Sequence, residues 1–115
     1  MTEAVACDIC VIGAGSGGLS VAAGASLMGA RTVLIERAHM GGDCLNFGCV
    51  PSKALLAAAR LAAQPRRGRA MGVALNEAAV DFARVNDHVK AVIAAIAPHD
   101  SVERFEGLGV TVILG

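Results

Sequence analysis

The chain has 115 residues, of which 55% are hydrophobic and 17% charged, so it can bury the core of one small domain or of part of a larger one. Ten Lys and Arg balance ten Asp and Glu, and Trp and Tyr are absent, which argues against the basic surface and stacking aromatics typical of nucleic-acid-binding proteins. Charges or glycines interrupt each apolar stretch before it could span a bilayer, and no basic segment precedes the first apolar run. We therefore expect a cytoplasmic protein that binds neither nucleic acid nor a membrane.

The first third of the chain predicts a strand, a glycine-rich turn, a helix and a second strand. Residues 7–12 form a short apolar run that ends at the glycines of residues 13–18, as a buried strand entering a tight turn does. Small and apolar residues recur at helical spacing over residues 17–29, and residues 31–36 are rich in β-branched side chains. This order predicts a right-handed βαβ unit with parallel strands.

The remaining residues predict further helices and one more strand. Residues 37–48 are expected to form an extended loop, after which Pro51 occupies the first turn of a helix. Residues 64–72, with a proline and three arginines, are interpreted as a linker-like loop. Asp81 is expected to cap a second long helix, and residues 110–114 to form a third strand. The predicted fold class is α/β, a Rossmann-like βαβ unit with parallel strands and additional helices.

A glycine motif links the first strand to the first helix. Gly13-x-Gly15-x-x-Gly18 follows the first predicted strand, and an acid, Glu36, ends the second. Gly13 permits the tight turn, Gly15 lets the backbone approach a diphosphate, and Gly18 lets the helix pack closely on the strand. The helix N-terminus would hold the diphosphate, and Glu36 would accept hydrogen bonds from ribose hydroxyls. The motif leaves FAD and NAD as alternatives, because both carry the ADP half that it binds.

Cys44 and Cys49 lie within one short loop, directly after two glycines at which a backbone can approach a ligand closely. A disulfide between them would close a small loop and add little stability, so a reversible redox role explains the pair better. Cys49 precedes the predicted helix start, and Lys53 adds a positive charge one turn later, so Cys49 is expected to ionise more readily. Cys44 lies further out in the loop and is the candidate for exchange with an external substrate.

The other cysteines and the histidines predict no metal site. Cys7 and Cys10 are three residues apart in a strand and have no second ligand pair, so they are interpreted as core thiols rather than zinc ligands. His39, His88 and His99 are scattered without metal-ligand spacing, and we interpret them as surface or structural residues.

Residues 41–53, Gly-Gly-Asp-Cys-Leu-Asn-Phe-Gly-Cys-Val-Pro-Ser-Lys, resemble the redox-active signature of the class I pyridine nucleotide-disulfide oxidoreductases. This family includes dihydrolipoamide dehydrogenase, mercuric reductase and glutathione reductase. The resemblance implies FAD as the cofactor, Cys49 as the thiol that faces the flavin, Cys44 as the interchange thiol, and Lys53 near N5 of the isoalloxazine ring. The implied reaction passes electrons between NAD(P)H, FAD, the Cys44–Cys49 disulfide and a disulfide, dithiol or metal-ion substrate.

The glycine motif and the resemblance together predict the site residues. The catalytic residues are Cys44 and Cys49. The residues predicted to bind the cofactor are Gly13, Ala14, Gly15, Ser16, Gly17, Gly18, Glu36, Arg37, Gly42, Asp43, Cys49 and Lys53.

The chain departs from the family pattern in sequence and in length. Asp43 stands where the family's Gly-Gly-Thr-Cys pattern has Thr, which places a potential negative charge beside the disulfide. Residues 51–53 are like those of dihydrolipoamide dehydrogenase and mercuric reductase, and with Asp43 and residues 105–110 they favour the mercuric-reductase-like branch. The family's chains are several times longer, so residues 1–115 are interpreted as the N-terminal part of an FAD-binding domain, with a redox-active disulfide loop at residues 41–53.

The resemblance also implies partners outside this chain. The rest of the FAD domain, an NAD(P)H domain and a C-terminal interface domain with a His-Glu pair would complete the parent enzyme, which the family forms as a homodimer. This chain alone is therefore not expected to sustain turnover. The alternative, from another class of protein, is a stand-alone nucleotide-binding or thiol redox-switch module that works without turnover.

Overall fold

The computed structural model describes residues 3–115, in which three parallel strands form one sheet flanked by helices. In spatial order the strands are β1 (Ile9–Ile12), β2 (Thr32–Glu36) and β3 (Thr111–Leu114). The central strand is β2, since its Thr32 pairs with Ile9 of β1 and its Glu36 pairs with Leu114 of β3. The prediction of an α/β fold built on a parallel βαβ unit is confirmed.

Six α-helices and one 3-10 turn connect the strands within the described residues. They are α1 (Ser16–Leu27), α2 (Gly42–Asn46), α3 (Cys49–Ala62), α4 (Gln64–Ala70), α5 (Phe82–Ile96), the 3-10 turn (Ala97–Asp100) and α6 (Val102–Gly107). Asp81 caps α5 as predicted, because its carboxylate accepts the backbone N–H of Arg84 at 3.2 Å. No helix in this part of the chain is long and apolar enough to cross a membrane.

The core lies between one face of the sheet and helices α1 and α6. Val11 and Leu34 of the two neighbouring strands pack against Leu19 and Ala22 of α1 and against Phe105 of α6. Leu34 and Ala22 have no exposed surface. Because this cluster packs α1 against β1, the turn between these two elements is held in a fixed position.

The opposite face of β1 is exposed, so the prediction that Cys7 and Cys10 are core thiols is wrong. Side chains alternate along a strand, and Cys10 and Ile12 therefore point away from the face that carries Val11. Cys10 is exposed, Ile12 is 85% exposed, and Cys7, ahead of the strand, is half-buried. The apolar run of residues 7–12 indicates burial on both faces, whereas within residues 3–115 only one face of β1 is covered.

Residues 64–70 form helix α4, so the prediction of a linker-like loop over residues 64–72 is wrong over most of its length. Pro65 lies in the first turn of α4, where its missing N–H costs no intrahelical hydrogen bond. The helix ends at Ala70, and Gly72 follows with a φ of 80°, which a glycine adopts without strain.

The predicted extended loop over residues 37–48 is also wrong in its second half, where residues 42–46 form α2. The side-chain amide of Asn46 donates to the backbone carbonyls of Gly42 at 2.8 Å and Met40 at 3.2 Å, which closes this short turn on itself. Helix α3 begins at Cys49, two residues before Pro51, which keeps Pro51 in the first turn as expected. The thiol of Cys49 therefore belongs to the first residue of the helix.

The described residues are elongated, with principal extents of 68 × 28 × 19 Å and a radius of gyration of 20.2 Å. A compact chain of this length has a radius of gyration of about 13 Å. The extra length comes with the α3–α5 pair, in which α5 has no buried residue and Phe82 is 69% exposed. The sheet, α1 and the loop that carries α2 form the compact part of the chain.

Candidate functional site

The turn between β1 and α1 is shaped by two glycines that cannot be replaced without strain. Gly13 has a φ of 101°, and its N–H donates to the carbonyl of Ile35 at 2.8 Å, so the turn is fastened to the neighbouring strand. A Cβ on Gly18 would collide with the carbonyl oxygen of Gly13 and lie 3.3 Å from Cγ1 of Val11. Gly18 therefore sets how closely α1 approaches β1.

Three glycines of the turn, Gly13 among them, face open space. A Cβ added at Gly13, Gly15 or Gly17 would meet no heavy atom within 4 Å. Helix α1 starts after Gly15 with no side-chain cap and no acidic residue in its first turn, so its first N–H groups have no intrahelical partner. Open space in front of free N–H groups at a positive helix end fits the diphosphate of a dinucleotide.

Glu36 at the end of β2 ties that strand to the turn. One carboxylate oxygen accepts the backbone N–H of Ala14 at 2.7 Å, and the other accepts that of Ala38 at 2.8 Å. The hydrogen bond from Ala14, followed by that from Ala38, holds the pKa of Glu36 below its usual 4.5, although burial works in the opposite direction. Each oxygen keeps a lone pair for a further donor, so the predicted contact with ribose hydroxyls stays compatible with this geometry.

The Glu36 hydrogen bonds lead to a stability prediction. Glu36→Gln leaves one oxygen acceptor for the buried N–H of Ala14 and the partly buried N–H of Ala38, and we expect it to lower the free energy of unfolding by about 2 kcal/mol near neutral pH. Because the folded-state pKa is lowered, the carboxylate stabilises the fold above pH 4.5 and loses this effect as pH falls through the folded-state value. Urea unfolding at several pH values across this range should show that the free energy of unfolding depends less on pH in Glu36→Gln than in wild type.

The matched control is Glu106→Gln, at an exposed acid on α6. It should change the free energy of unfolding by less than about 0.5 kcal/mol. Equal pH dependence of unfolding in wild type and Glu36→Gln would contradict the stabilising role of the carboxylate.

The loop that carries the first thiol packs directly on the glycine turn. The backbone N–H of Gly41 donates to the carbonyl of Ala14 at 2.9 Å. A Cβ on Gly42 would lie 2.7 Å from Cα of Gly15, so the two backbones are in direct contact. Leu45, one turn further, is buried and anchors the loop. The redox loop and the turn predicted to bind the cofactor thus form one continuous surface.

The two thiols have different surroundings. Cys44 is half-buried in α2, whereas Cys49 is exposed at the start of α3, and both are free thiols. A hydrogen bond with Cys49, followed by burial, raises the pKa of Cys44 above its usual 9.0, while the charge of Lys53 acts in the opposite direction. Removal of the Cys49 thiol would therefore lower the pKa of Cys44.

A cavity of about 330 Å³ opens beside Cys44. One wall is formed by α1 and the redox loop, and the other by residues 99–105 of the 3-10 turn and α6. Cys44 is part of the lining and Cys49 is not, so only Cys44 is reached from this cavity.

The structure brings most of the predicted site residues together. The turn, Glu36 and Gly42 are contiguous, whereas the side chains of Arg37, Asp43, Cys49 and Lys53 are exposed. Among residues 3–115, no group of three or more His, Cys, Asp or Glu side chains could hold a metal ion.

Sequence analysis missed Asp100 and Arg104 and treated His99 as a surface or structural residue, yet all three line the cavity. The side chain of Ser101 caps α6 by accepting the backbone N–H of Arg104, just ahead of β3. Nothing local indicated that this helix would lie beside α1.

Comparison with known proteins identifies the family to which this chain belongs. The family model described as pyridine nucleotide-disulphide oxidoreductase matches residues 7–112, and the chain therefore belongs to this family. The chain is 43% identical over 89 residues to the dihydrolipoyl dehydrogenase of Chlamydia muridarum, covering 77% of this chain and 19% of the relative. It is 36% identical over 90 residues to the dihydrolipoyl dehydrogenase of Geobacillus stearothermophilus, covering 78% of this chain and 19% of the relative.

A solved structure supports the fold. The Cu(II) complex of the HOCl-induced flavoprotein disulfide reductase RclA from Escherichia coli matches with a TM-score of 0.71 at 24% identity. The match covers 92% of this chain and 21% of RclA. The chain thus spans about one fifth of the length of these relatives, which are oxidoreductases. The preference for the mercuric-reductase-like branch stays a prediction.

Proposed function

We propose that this chain binds FAD at the glycine turn and supplies the dithiol of a flavoprotein disulfide oxidoreductase. The observation that carries the proposal is the direct backbone contact between Gly42 of the redox loop and Gly15 of the turn. A dinucleotide held at the turn and the thiols of Cys44 and Cys49 would share one surface. Such proximity is what electron exchange between a cofactor and a disulfide requires.

The residues of the turn are suited to the ADP half of FAD. The first N–H groups of α1 would hold the diphosphate, and the oxygens of Glu36 would accept the ribose hydroxyls. Gly42, Asp43, Cys49 and Lys53 are proposed to lie toward the flavin, with Arg37 beside the adenosine. When bound, FAD supplies a two-electron carrier between a nicotinamide cofactor and a disulfide.

The two thiols are proposed to divide the exchange reaction. The thiolate of Cys44 attacks one sulfur of a substrate disulfide and releases the first substrate thiol, leaving a mixed disulfide. The thiolate of Cys49 then attacks the sulfur of Cys44, forms the Cys44–Cys49 disulfide and releases the second thiol. The position of Cys44 in the lining of the cavity, from which Cys49 is absent, supports this order.

The remaining parts of the reaction belong to the parent enzyme that we propose for this chain. That enzyme would be a cytoplasmic homodimer that uses NAD(P)H as a co-substrate. Residues 1–115 would form the N-terminal part of its FAD-binding domain, and the nicotinamide site would lie in another domain.

Titration of the chain with FAD tests the cofactor assignment. We expect wild type to bind FAD, seen as quenching of flavin fluorescence and a shift of its visible bands, and to prefer FAD to NAD. Gly15→Ala places a methyl group in open space, so the fold should persist while the diphosphate is kept from the backbone. We expect about tenfold weaker binding, the equivalent of one charge-assisted hydrogen bond.

Gly24→Ala, at an exposed position of α1 where a Cβ also meets nothing within 4 Å, is the matched control and should bind FAD as wild type does. A folded wild-type chain that takes up no FAD would overturn the proposal and favour the thiol redox-switch alternative. Equal affinity in Gly15→Ala and wild type would place the cofactor elsewhere.

A further inference from the structure

The cavity beside Cys44 offers space for a small group next to this thiol. At about 330 Å³ it lies at the lower end of the range of small-molecule sites, which extends from about 300 to 1,000 Å³. Leu45 and Phe105 close its inner side, and both are buried. The part of a substrate that occupies this cavity beside Cys44 is therefore small.

The lining of the cavity also carries charges of both signs. Asp100 is half-buried in the 3-10 turn, and Arg104 follows it one turn later on α6. Nη1 of Arg104 donates to the carbonyl of His99 at 2.7 Å, which holds the guanidinium against the turn that carries Asp100. The other nitrogens of this guanidinium remain available as donors.

The two charges do not neutralise each other by direct contact. Over residues 3–115 the ion pairs join Arg31 to Asp8 and Arg69 to Glu77, and none joins Arg104 to Asp100. A ligand that filled the cavity with apolar groups alone would desolvate both charges without giving either a partner, which is unfavourable. A ligand with an anionic and a cationic group would supply both partners.

We infer that the cavity admits a small zwitterionic disulfide of the amino-acid type, whose carboxylate pairs with Arg104 and whose ammonium group pairs with Asp100 while its sulfurs face Cys44. This inference rests on the proposed function, because it takes Cys44 as the thiol that exchanges with substrate. It adds the class of substrate and the two residues that select it.

The exchange balances without a further reactant. The reduced chain gives up two electrons and two protons from the thiols of Cys44 and Cys49, whose sulfurs become joined in a disulfide. The substrate disulfide takes up both electrons and both protons and leaves as two thiols. Stoichiometric reduction by the prereduced chain can therefore be measured without a flavin or a nicotinamide cofactor.

The test uses four disulfides that differ in charge: cystine, dithiodipropionate as a dianion, cystamine as a dication and hydroxyethyl disulfide as a neutral probe. The chain carries Cys7→Ser and Cys10→Ser, so that only the redox pair reacts. Each rate is divided by the rate of the same disulfide with mercaptoethanol, which removes the intrinsic reactivity of the probe. We expect the normalised rate to be highest for cystine.

The variants separate the two charges. We expect Arg104→Gln to lower the normalised rates with cystine and dithiodipropionate about two- to fivefold, the range that corresponds to single ion pairs near a surface. Asp100→Asn should lower the rates with cystine and cystamine to a similar extent. Hydroxyethyl disulfide should react as with wild type. Arg104→Lys keeps the charge and should keep the preference for carboxylates.

Arg66→Gln is the matched control, since Arg66 is exposed on α4 and lies outside the cavity lining. Effects of Arg104→Gln that equal those of Arg66→Gln, or that slow all four probes alike, would overturn the inference. If none of the four disulfides oxidises the Cys44 and Cys49 thiols of wild type, the proposed function itself fails. It also fails if Cys44→Ser reacts as fast as wild type.

Discussion

Replacement of Gly18 by alanine is expected to destabilise the chain by about 3 kcal/mol, a large share of the stability of a small domain. The new methyl group would collide with the carbonyl oxygen of Gly13, which is a backbone atom and cannot rotate out of the way. Either α1 moves off β1, which opens the contact of Leu19 with Val11, or the turn distorts. Denaturant unfolding followed by circular dichroism measures the loss, and FAD affinity should fall with it.

Gly24→Ala provides the contrast within the same helix. Gly24 is exposed and a Cβ there meets nothing within 4 Å, so alanine should stabilise the chain by about 0.5–1 kcal/mol through its better helix propensity. Opposite signs for the two substitutions would show that close approach at Gly18, rather than helix propensity, sets the effect. Equal changes at Gly18 and Gly24 would contradict this explanation.

Substitution of Cys49 by alanine is expected to stop disulfide reduction halfway. Wild type should release two thiols per chain from hydroxyethyl disulfide, whereas Cys49→Ala should release one and retain the other as a mixed disulfide on Cys44. Mass spectrometry of the intact chain, in the Cys7→Ser and Cys10→Ser background, distinguishes the two products. The change is a complete loss of the second step, because no other thiol remains to attack the sulfur of Cys44.

The same variant should make the first step faster near neutral pH. The hydrogen bond with Cys49 is the largest cause that raises the pKa of Cys44, so its removal should return that pKa toward 9.0 and increase the thiolate fraction. The pH at which the rate of mixed-disulfide formation levels off should therefore be lower in Cys49→Ala. Release of two thiols by Cys49→Ala, or an unchanged pH profile, would contradict the proposed division of roles.

The sequence predicted those parts of the candidate site that depend on residues close together in the chain. The glycines before α1 and the acid at the end of β2 follow from the geometry of one βαβ unit, and the structure places Glu36 against Ala14 as that geometry requires. Parallel pairing follows from the crossover connection and holds for all three strands.

The parts that sequence reasoning missed depend on tertiary packing. Apolar residues 7–12 predicted burial on both faces, and only the sheet could show that Cys10 is exposed. The proline and arginines of residues 64–72 were interpreted as signs of a loop. Pro65 is equally compatible with the first turn of a helix, and the structure has a helix there. Arg104 and Cys44 line the same cavity because α6 packs near α1 across a long stretch of chain, which no short motif encodes.

The loop that carries Cys44 contacts the glycine turn through backbone atoms. The N–H of Gly41 and the Cα of Gly42 make the contacts, so the side chain at position 43 takes no part in holding the loop. An Asp can therefore stand where the family pattern has Thr while the thiols keep their place. A loop anchored in this way lets mutation change the charge beside the two thiols at little structural cost.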